Sequence, residues 1–437
     1  MEASINIVYC RLEDVGEYLA CVVPDDLTPN QPLRPGEVHP RFAAAKYRLS
    51  RTAAPANGTS VKGTSIGEDT ATLGMLRGGT TNVVSGGAER SEASEQSGVP
   101  LTAKQCKVFI VCDRNVGWVV DRIGVKAARV MDIEATEQDK SLETVLEIDR
   151  WLMEQGADRS AFVLGIGGGI TTDMVGFAAS VYKRGVKFAF IPTTLLSQVD
   201  AAIGGKNGVN LDSYKNMVGV IRQPEATFIC PEVLGTLPYP QIVSGAAELL
   251  KTFIIQNERG NYEEAVSVLS AIRTAQGDFP GKENGAVPGG RIRGYSEELR
   301  GLVAAAADVK AGIAGRDPFE NGERRLLNLG HTFAHAIEKL SDEAIGHGEA
   351  VSMGIILAAR LSERLGLAQE GLAARLKTDF EACGMPVECP YSIKDMAGAM
   401  KKDKKAEGAI VHFVLPLAIG RVETRDLSPE DAAGLLG

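Results

Sequence analysis

Residues 165–210 read GIGGGITTDMVGFAASVYKRGVKFAFIPTTLLSQVDAAIGGKNGVN, and the rest of the chain is organised around them. An apolar run, 161–164, leads into Gly165, Gly167, Gly168 and Gly169, and Thr171-Thr172-Asp173 opens a helix-like segment reaching residue 182. A strand, a glycine turn and a helix start bring backbone N–H groups within reach of a phosphate or pyrophosphate. Ile170 stands where the G-x-G-x-x-G fingerprint has its last glycine, and no acid follows at that fingerprint's spacing. The turn alone leaves two readings, a dinucleotide cradle and a tight turn without a ligand.

Outward from this stretch, strand-like runs at 107–112, 128–133 and 186–191 alternate with helical patterns such as 142–155. Such alternation predicts βαβ units and a mostly parallel, Rossmann-like sheet. Ligands of such sheets bind beyond the carboxyl ends of the strands, where Asp113, Asn115, Thr193 and Thr194 fall. Beyond residue 238 the spacing becomes helical, at 246–256, 297–314, 327–340, 348–366 and 372–383. A strand-like run follows at 410–415, and the glycine- and proline-rich 276–293 reads as a loop insertion. The division expected is an N-terminal α/β domain over 104–240 and an all-α C-terminal domain over 241–437. Residues 1–103 carry apolar patches at 5–9 and 19–23, and 51–100 is mostly Ala, Gly, Ser, Thr and Glu. So few large apolar side chains cannot offset the entropy of ordering, so a largely low-complexity or disordered extension is expected. On that reading, deleting residues 1–95 leaves the catalytic body folded.

A chain of 437 residues can bury two sizeable cores. Its net charge of −9 argues against nucleic acid or an anionic membrane as partner. No apolar run reaches membrane-spanning length, and MEASINIVYC lacks a basic segment followed by an apolar one. Seven cysteines, an odd number without a C-x-x-C, predict reduced thiols in a cytoplasmic protein.

Three of the five histidines lie within seventeen residues, in GHTFAHAIE and GHGEA. His331 and His335 are four apart, so a helix presents both on one face, and His347 and the acids Glu338 and Glu349 follow. This predicts a divalent-metal site, although spacing leaves open which three groups ligate. Arg184, Lys206, Lys215, Lys251, Lys310, Arg324, Lys404 and Lys405 stand mostly beside glycine, asparagine or aspartate, as a pocket for phosphate and carboxylate would require. Asp200 and Glu248, in apolar surroundings, need a cation or a donor there.

The segments GGGITTDMVGFAASVYKRG, IPTTLLSQVDAAIGGKNGVN, KNMVG, TLP, AELLKT, DVKAGIA, LLNLGHTFAHAIE, HGEAV and DKK, in this order, resemble the 3-dehydroquinate synthase family of sugar-phosphate cyclases. The resemblance runs from about residue 104 to 418 and omits the first hundred residues and the 276–293 loop. It implies an NAD-binding domain, a helical zinc (or cobalt) domain and an active site in the cleft between them. By its motifs, NAD would meet Asp113, Asn115, Glu137, Lys140, Gly167, Gly168, Gly169, Asp173, Thr193, Thr194, Lys206, Lys215 and Thr236. The metal would be held by Glu248, His331 and His347, which moves His335 from ligand to substrate contact. Substrate would meet Arg184, Asp200, Lys206, Asn216, Lys251, Lys310, Arg324, Asn328, His335, Lys404 and Lys405. Pro240-Gln241, Asn207 and Leu329 depart from the family pattern without removing a ligand or a substrate cation.

The implied reaction converts 3-deoxy-D-arabino-heptulosonate 7-phosphate to 3-dehydroquinate and phosphate, in the shikimate route to aromatic amino acids. It proceeds by transient NAD oxidation, phosphate elimination, re-reduction and intramolecular aldol closure. A homodimer is the family expectation. Alternatives are a cyclase acting on an amino analogue of that substrate, or a metal-dependent oxidoreductase resembling glycerol dehydrogenase, which would release NADH.

Overall fold

The computed structural model describes residues 3–22, 107–125, 128–212, 214–276, 297–342, 344–403 and 410–437. Most of the low-complexity stretch, the 276–293 insertion beyond Gln276, and both Lys404 and Lys405 lie outside these residues. The first domain runs β1 (Ile7–Tyr9), α1 (Leu12–Val22), β2 (Val108–Asp113), α2 (Trp118–Ile123), β3 (Arg129–Ile133), α3 (Leu142–Glu154), β4 (Phe162–Gly167), α4 (Gly169–Val181), β5 (Lys187–Pro192), β6 (Lys206–Leu211), β7 (Tyr214–Ile221) and β8 (Ala226–Ile229). The second runs α5 (Tyr239–Ile255), α6 (Asn261–Gln276), α7 (Glu297–Arg316), α8 (His331–Leu340), α9 (His347–Arg364), α10 (Leu372–Ala382), α11 (Ile393–Asp403), β9 (Val411–Ala418), β10 (Arg421–Leu427) and α12 (Pro429–Leu436).

Six strands form a parallel sheet in the order β1-β8-β5-β4-β2-β3. Residues along β2 alternate between two cores: Val108, Ile110 and Cys112 face the one continuous with the helical domain, Phe109 and Val111 the other. Burial on both faces is why these strands read as unbroken apolar runs. The 410–415 run is β9, which pairs with β10 as an antiparallel hairpin in the otherwise helical domain. The pattern at 327–340 divides: Glu323–Asn328 is a 3-10 turn, and Gly330, at φ 78°, precedes the helix proper. A Cβ on Gly330 would lie 2.8 Å from the Ile355 nitrogen, so glycine lets α8 and α9 approach closely.

The boundary at residue 104 needs correcting. β1 is the edge strand of the sheet, with Ile7 opposite Thr227, and Leu12, Val15 and Leu19 of α1 are fully buried. Tyr9 donates through its hydroxyl to the Ala304 carbonyl (3.0 Å) and to Asp308 (2.9 Å) on α7, and Ala3 N donates to Gly315 O (2.9 Å). The opening residues therefore belong to the first domain and bind the second. Short elements separated from their partners by a long polar stretch give too little local periodicity to be read as part of it.

A second element escaped the sequence reading. The last residues of the opening stretch form β6, which pairs with β7 in an antiparallel ribbon laid over α4. A Cβ on Gly176 of α4 would stand 2.0 Å from Asn207 Oδ1, so the ribbon sits directly on the helix. That covering makes α4 apolar nearly all round.

Candidate functional site

The glycine turn comes directly off the sheet. β4 ends at Gly167, whose added Cβ would collide with Thr171 Oγ1 at 2.3 Å, and α4 starts at Gly169. The first N–H groups of α4 have no partner within the helix, and Gly168, Gly169 and Ile170 line a cavity of about 1700 Å³. Asp113, Asn115, Glu137, Lys140, Asp173 and Thr194 line the same side, and Lys215 and Asn216 of the ribbon follow. Asn328, His331, His335, Glu338 and His347 form the helical side.

The dinucleotide-side polar groups are already joined. Lys140 donates to Asp173 (2.6 Å) and to Asn216 Oδ1 (2.5 Å); Asn210 accepts from Asn216 N (2.9 Å) and donates to Glu137 Oε1 (2.8 Å). Asn210 was not picked out from sequence, since its role depends on the ribbon. Asn216 holds φ 54°, a cost its place in this network must offset. Thr194 and Ser197 exchange hydrogen bonds at the end of β5, including Thr194 N to Ser197 Oγ at 3.1 Å.

On the helical side, His331 and His347 each occupy the first position of a helix, α8 and α9, and Glu248 projects from α5. Their donor atoms all lie within 4.8 Å of one another. Glu248 Oε1 is 3.2 Å from His347 Nε2 and 3.6 Å from His331 Nε2. These separations suit a tetrahedral edge when each donor bonds one ion at about 2.0–2.2 Å. Glu248 is 1% exposed, and its Oε2 lies 2.5 Å from Lys251 Nζ but outside hydrogen-bond geometry. A buried carboxylate without a full set of donors, facing two imidazole nitrogens, fits a cation. His335 is exposed and outside this donor group. The donor group that could hold a metal is thus not the i, i+4 pair; it draws on three different helices.

Protonation follows from these contacts. Burial, with the charge of Lys251, holds His331 well below the usual imidazole range. Burial would also lower His347, but Glu248 and Glu338 outweigh it and raise it to about 10. One ring is therefore neutral and the other protonated at neutral pH, and a metal ion would take the place of a proton on His347. Glu338 is lowered to about 2, burial being overcome by His347 and Lys215.

Behind this wall lies a buried charge cluster. Asp200 accepts from Lys251 (2.7 Å) and from Lys310, and Lys251 also meets Glu248. Burial would raise Asp200, but the two lysines hold it well below the usual carboxylate range. Lys310 is lowered by burial, against the pull of Asp200. Arg324 is 2% exposed and donates to the Pro318 carbonyl (2.7 Å). Of these four residues, expected as substrate contacts, Lys251, Lys310 and Arg324 are buried and Asp200 is partly exposed. Lys206 pairs with Glu320, which also accepts from Asn328 (2.5 Å). Glu320, at φ 60° in the loop before Arg324, was missed in the sequence; a carboxylate amid ENGERR was the available signal.

Some expected residues are not brought to the cavity. Arg184 lies in the turn between α4 and β5 at φ 68°, after Lys183 at φ 47°, outside the lining. Thr236 donates to the Val233 carbonyl (3.1 Å) in a 3-10 turn, and Gly167 and Thr193 are hydrogen-bonded to each other behind the lining (2.8 Å).

The parallel α/β domain with a helical domain is a two-domain architecture shared with solved sugar-phosphate cyclases. One is 2-epi-5-epi-valiolone synthase from Streptomyces hygroscopicus subsp. jinggangensis 5008 with NAD+ and Zn2+ bound. That structure has a TM-score of 0.65 and 26% identity, over 79% of this chain and 98% of that one. The fold is also shared with 2-deoxy-scyllo-inosose synthase (TM-score 0.62, 22% identity, 77% of this chain and 91% of that one). Residues 130–244 match the family model for the 3-dehydroquinate synthase N-terminal region and 290–406 that for its C-terminal region. The 3-dehydroquinate synthase of Pyrococcus abyssi is 39% identical over 301 residues, 69% of this chain and 82% of that protein. That of Acidithiobacillus ferrooxidans is 36% identical over 322 residues, 72% and 83% respectively. The chain belongs to the 3-dehydroquinate synthase family.

Proposed function

We propose that the chain converts 3-deoxy-D-arabino-heptulosonate 7-phosphate to 3-dehydroquinate and inorganic phosphate, with NAD and one divalent cation, zinc or cobalt, resident in the site. The carrying observation is the Glu248–His331–His347 donor group facing, across one cavity, a glycine turn at a helix N-terminus. When bound, NAD would supply a hydride acceptor that returns the hydride within the same turnover, and the metal would supply Lewis acidity at the oxygen of the carbon being oxidised.

The protein's own groups bind and orient. Backbone N–H groups of Gly169 and Ile170 are available to the pyrophosphate, and the Asp113 and Glu137 carboxylates to hydroxyls. Asn328 and His335 face the cavity and suit phosphate oxygens, with Lys206 beside them through Glu320. Arg324, Lys310 and Lys251 outnumber the carboxylates they meet, Asp200 and Glu248, and this excess positive charge favours a substrate carrying both carboxylate and phosphate. Such an excess discriminates against neutral-tailed substrates. Among the described residues no helix is long and apolar enough to cross a membrane; a cytoplasmic homodimer is the arrangement we infer for the family's chemistry.

Incubation of the protein with the heptulosonate phosphate and substoichiometric NAD is expected to release phosphate over many turnovers with no net NADH. Steady NADH accumulation, or no phosphate beyond the NAD supplied, overturns the reading in favour of a simple oxidoreductase. Lys206→Ala is expected to lower kcat/KM about 10²-fold, as loss of one preset cation does, with the unfolding midpoint unchanged because Lys206 is exposed. An unchanged kcat/KM removes Lys206 from the site.

A further inference from the structure

We propose that Glu338 is a positioning residue for the metal centre, orienting His347 and itself held by Lys215 from the opposite domain. This rests on the metal-site reading above. Glu338 lies seven residues after His331 on α8, so both face the cavity, and it is 5% exposed. The His347 ring stands between two carboxylates: Nε2 faces Glu248 Oε1 at 3.2 Å and Nδ1 faces Glu338 Oε1 at 3.3 Å. With Nε2 given to the metal, Nδ1–H donates to Glu338, which fixes the tautomer and the ring plane. Glu338 is on the far side of the ring from the donor group, so it is a partner of the ligand and not a ligand. Lys215 of β7 approaches the same Oε1 at 3.3 Å and balances the buried charge. A group on the ribbon thereby sets the geometry of a ligand on α9. His331 has a different support, Nδ1 being 3.1 Å from the Leu329 carbonyl, so the two rings respond separately to substitution.

The test is zinc affinity of the metal-stripped full chain, measured by competition with a chromogenic chelator. Glu338→Ala is expected to weaken zinc binding about 10–100-fold, and Glu338→Gln, which keeps an acceptor of the same length, by less. A cooperative thermal melt in both variants separates this role from loss of fold. Lys215→Met is expected to weaken zinc binding in the parent chain but to add nothing in Glu338→Ala, the coupling expected of neighbours in one network. Zinc affinity of Glu338→Ala equal to that of the parent overturns the proposal, and a Lys215→Met effect that persists without Glu338 overturns the link between them. A parent chain that takes up no zinc overturns instead the metal-site reading on which both stand.

Discussion

His347→Ala is expected to leave the protein folded, without bound metal and without turnover. The side chain is over a third exposed at a helix start, so its removal opens no cavity in the core. Of the donor group only Glu248 and His331 remain, and Glu248 is then a buried carboxylate facing one neutral ring. Lewis-acid assistance at the reacting oxygen contributes several kcal/mol, so its loss should lower phosphate release by about 10³-fold or more. Metal content by emission spectrometry, phosphate release and a thermal melt check the three parts. Retained activity in the variant, or in the parent after exhaustive chelation, contradicts the role of the donor group.

Deletion of residues 1–95 is expected to destroy the fold, the reverse of what composition predicts. The truncation removes β1, α1 and the fully buried Leu12, Val15 and Leu19. Burying such side chains contributes about 1.5–3 kcal/mol each. Their loss is on the order of 5–9 kcal/mol, against a total stability of about 5–15 kcal/mol for a typical protein. It also uncovers the edge of β8, breaks the edge-to-face contact of Tyr18 with Phe228, and removes the hydrogen bonds of Tyr9 to α7. Aggregation of the 96–437 product, or loss of its cooperative melt, is the expected result. Val15→Asp in the full chain should act in the same direction by placing a charge at a fully buried position. A soluble, cooperatively melting, active truncation would show that these contacts are dispensable.

The sheet was legible because β2, β4 and β5 are short apolar runs bounded by turn residues, and burial on both faces leaves no other use for such runs. β1, β8 and the ribbon were not. β1 and β8 are short and pair with strands far along the chain, and the ribbon, though a local hairpin, is polar and glycine-containing and carries no unbroken apolar run. The histidine cluster was legible as a cluster. Spacing left its donor set open, since His331 and His335 share a helix face; the family resemblance implied Glu248, His331 and His347, and these are the groups that α5, α8 and α9 bring together.

The sequence by itself determined the chemistry available: a glycine turn after a buried strand, three neighbouring histidines, and a set of cations beside glycine, asparagine or aspartate. Residue type and near spacing are local properties, and local properties survive in one dimension. Only the tertiary structure decided which groups meet. It placed residues 7–22 in the first domain, seated the ribbon on α4 and set Glu338 between Lys215 and His347. It also joined Asp200 of one domain to Lys251 and Lys310 of the other. Each of these joins residues far apart in the chain through packing and charge balance, which no local pattern encodes. The glycine turn at 165–169 illustrates the division. Its residues give a phosphate-facing loop, and the cavity in front of it, with a carboxylate and two imidazoles across the way, gives that loop its use.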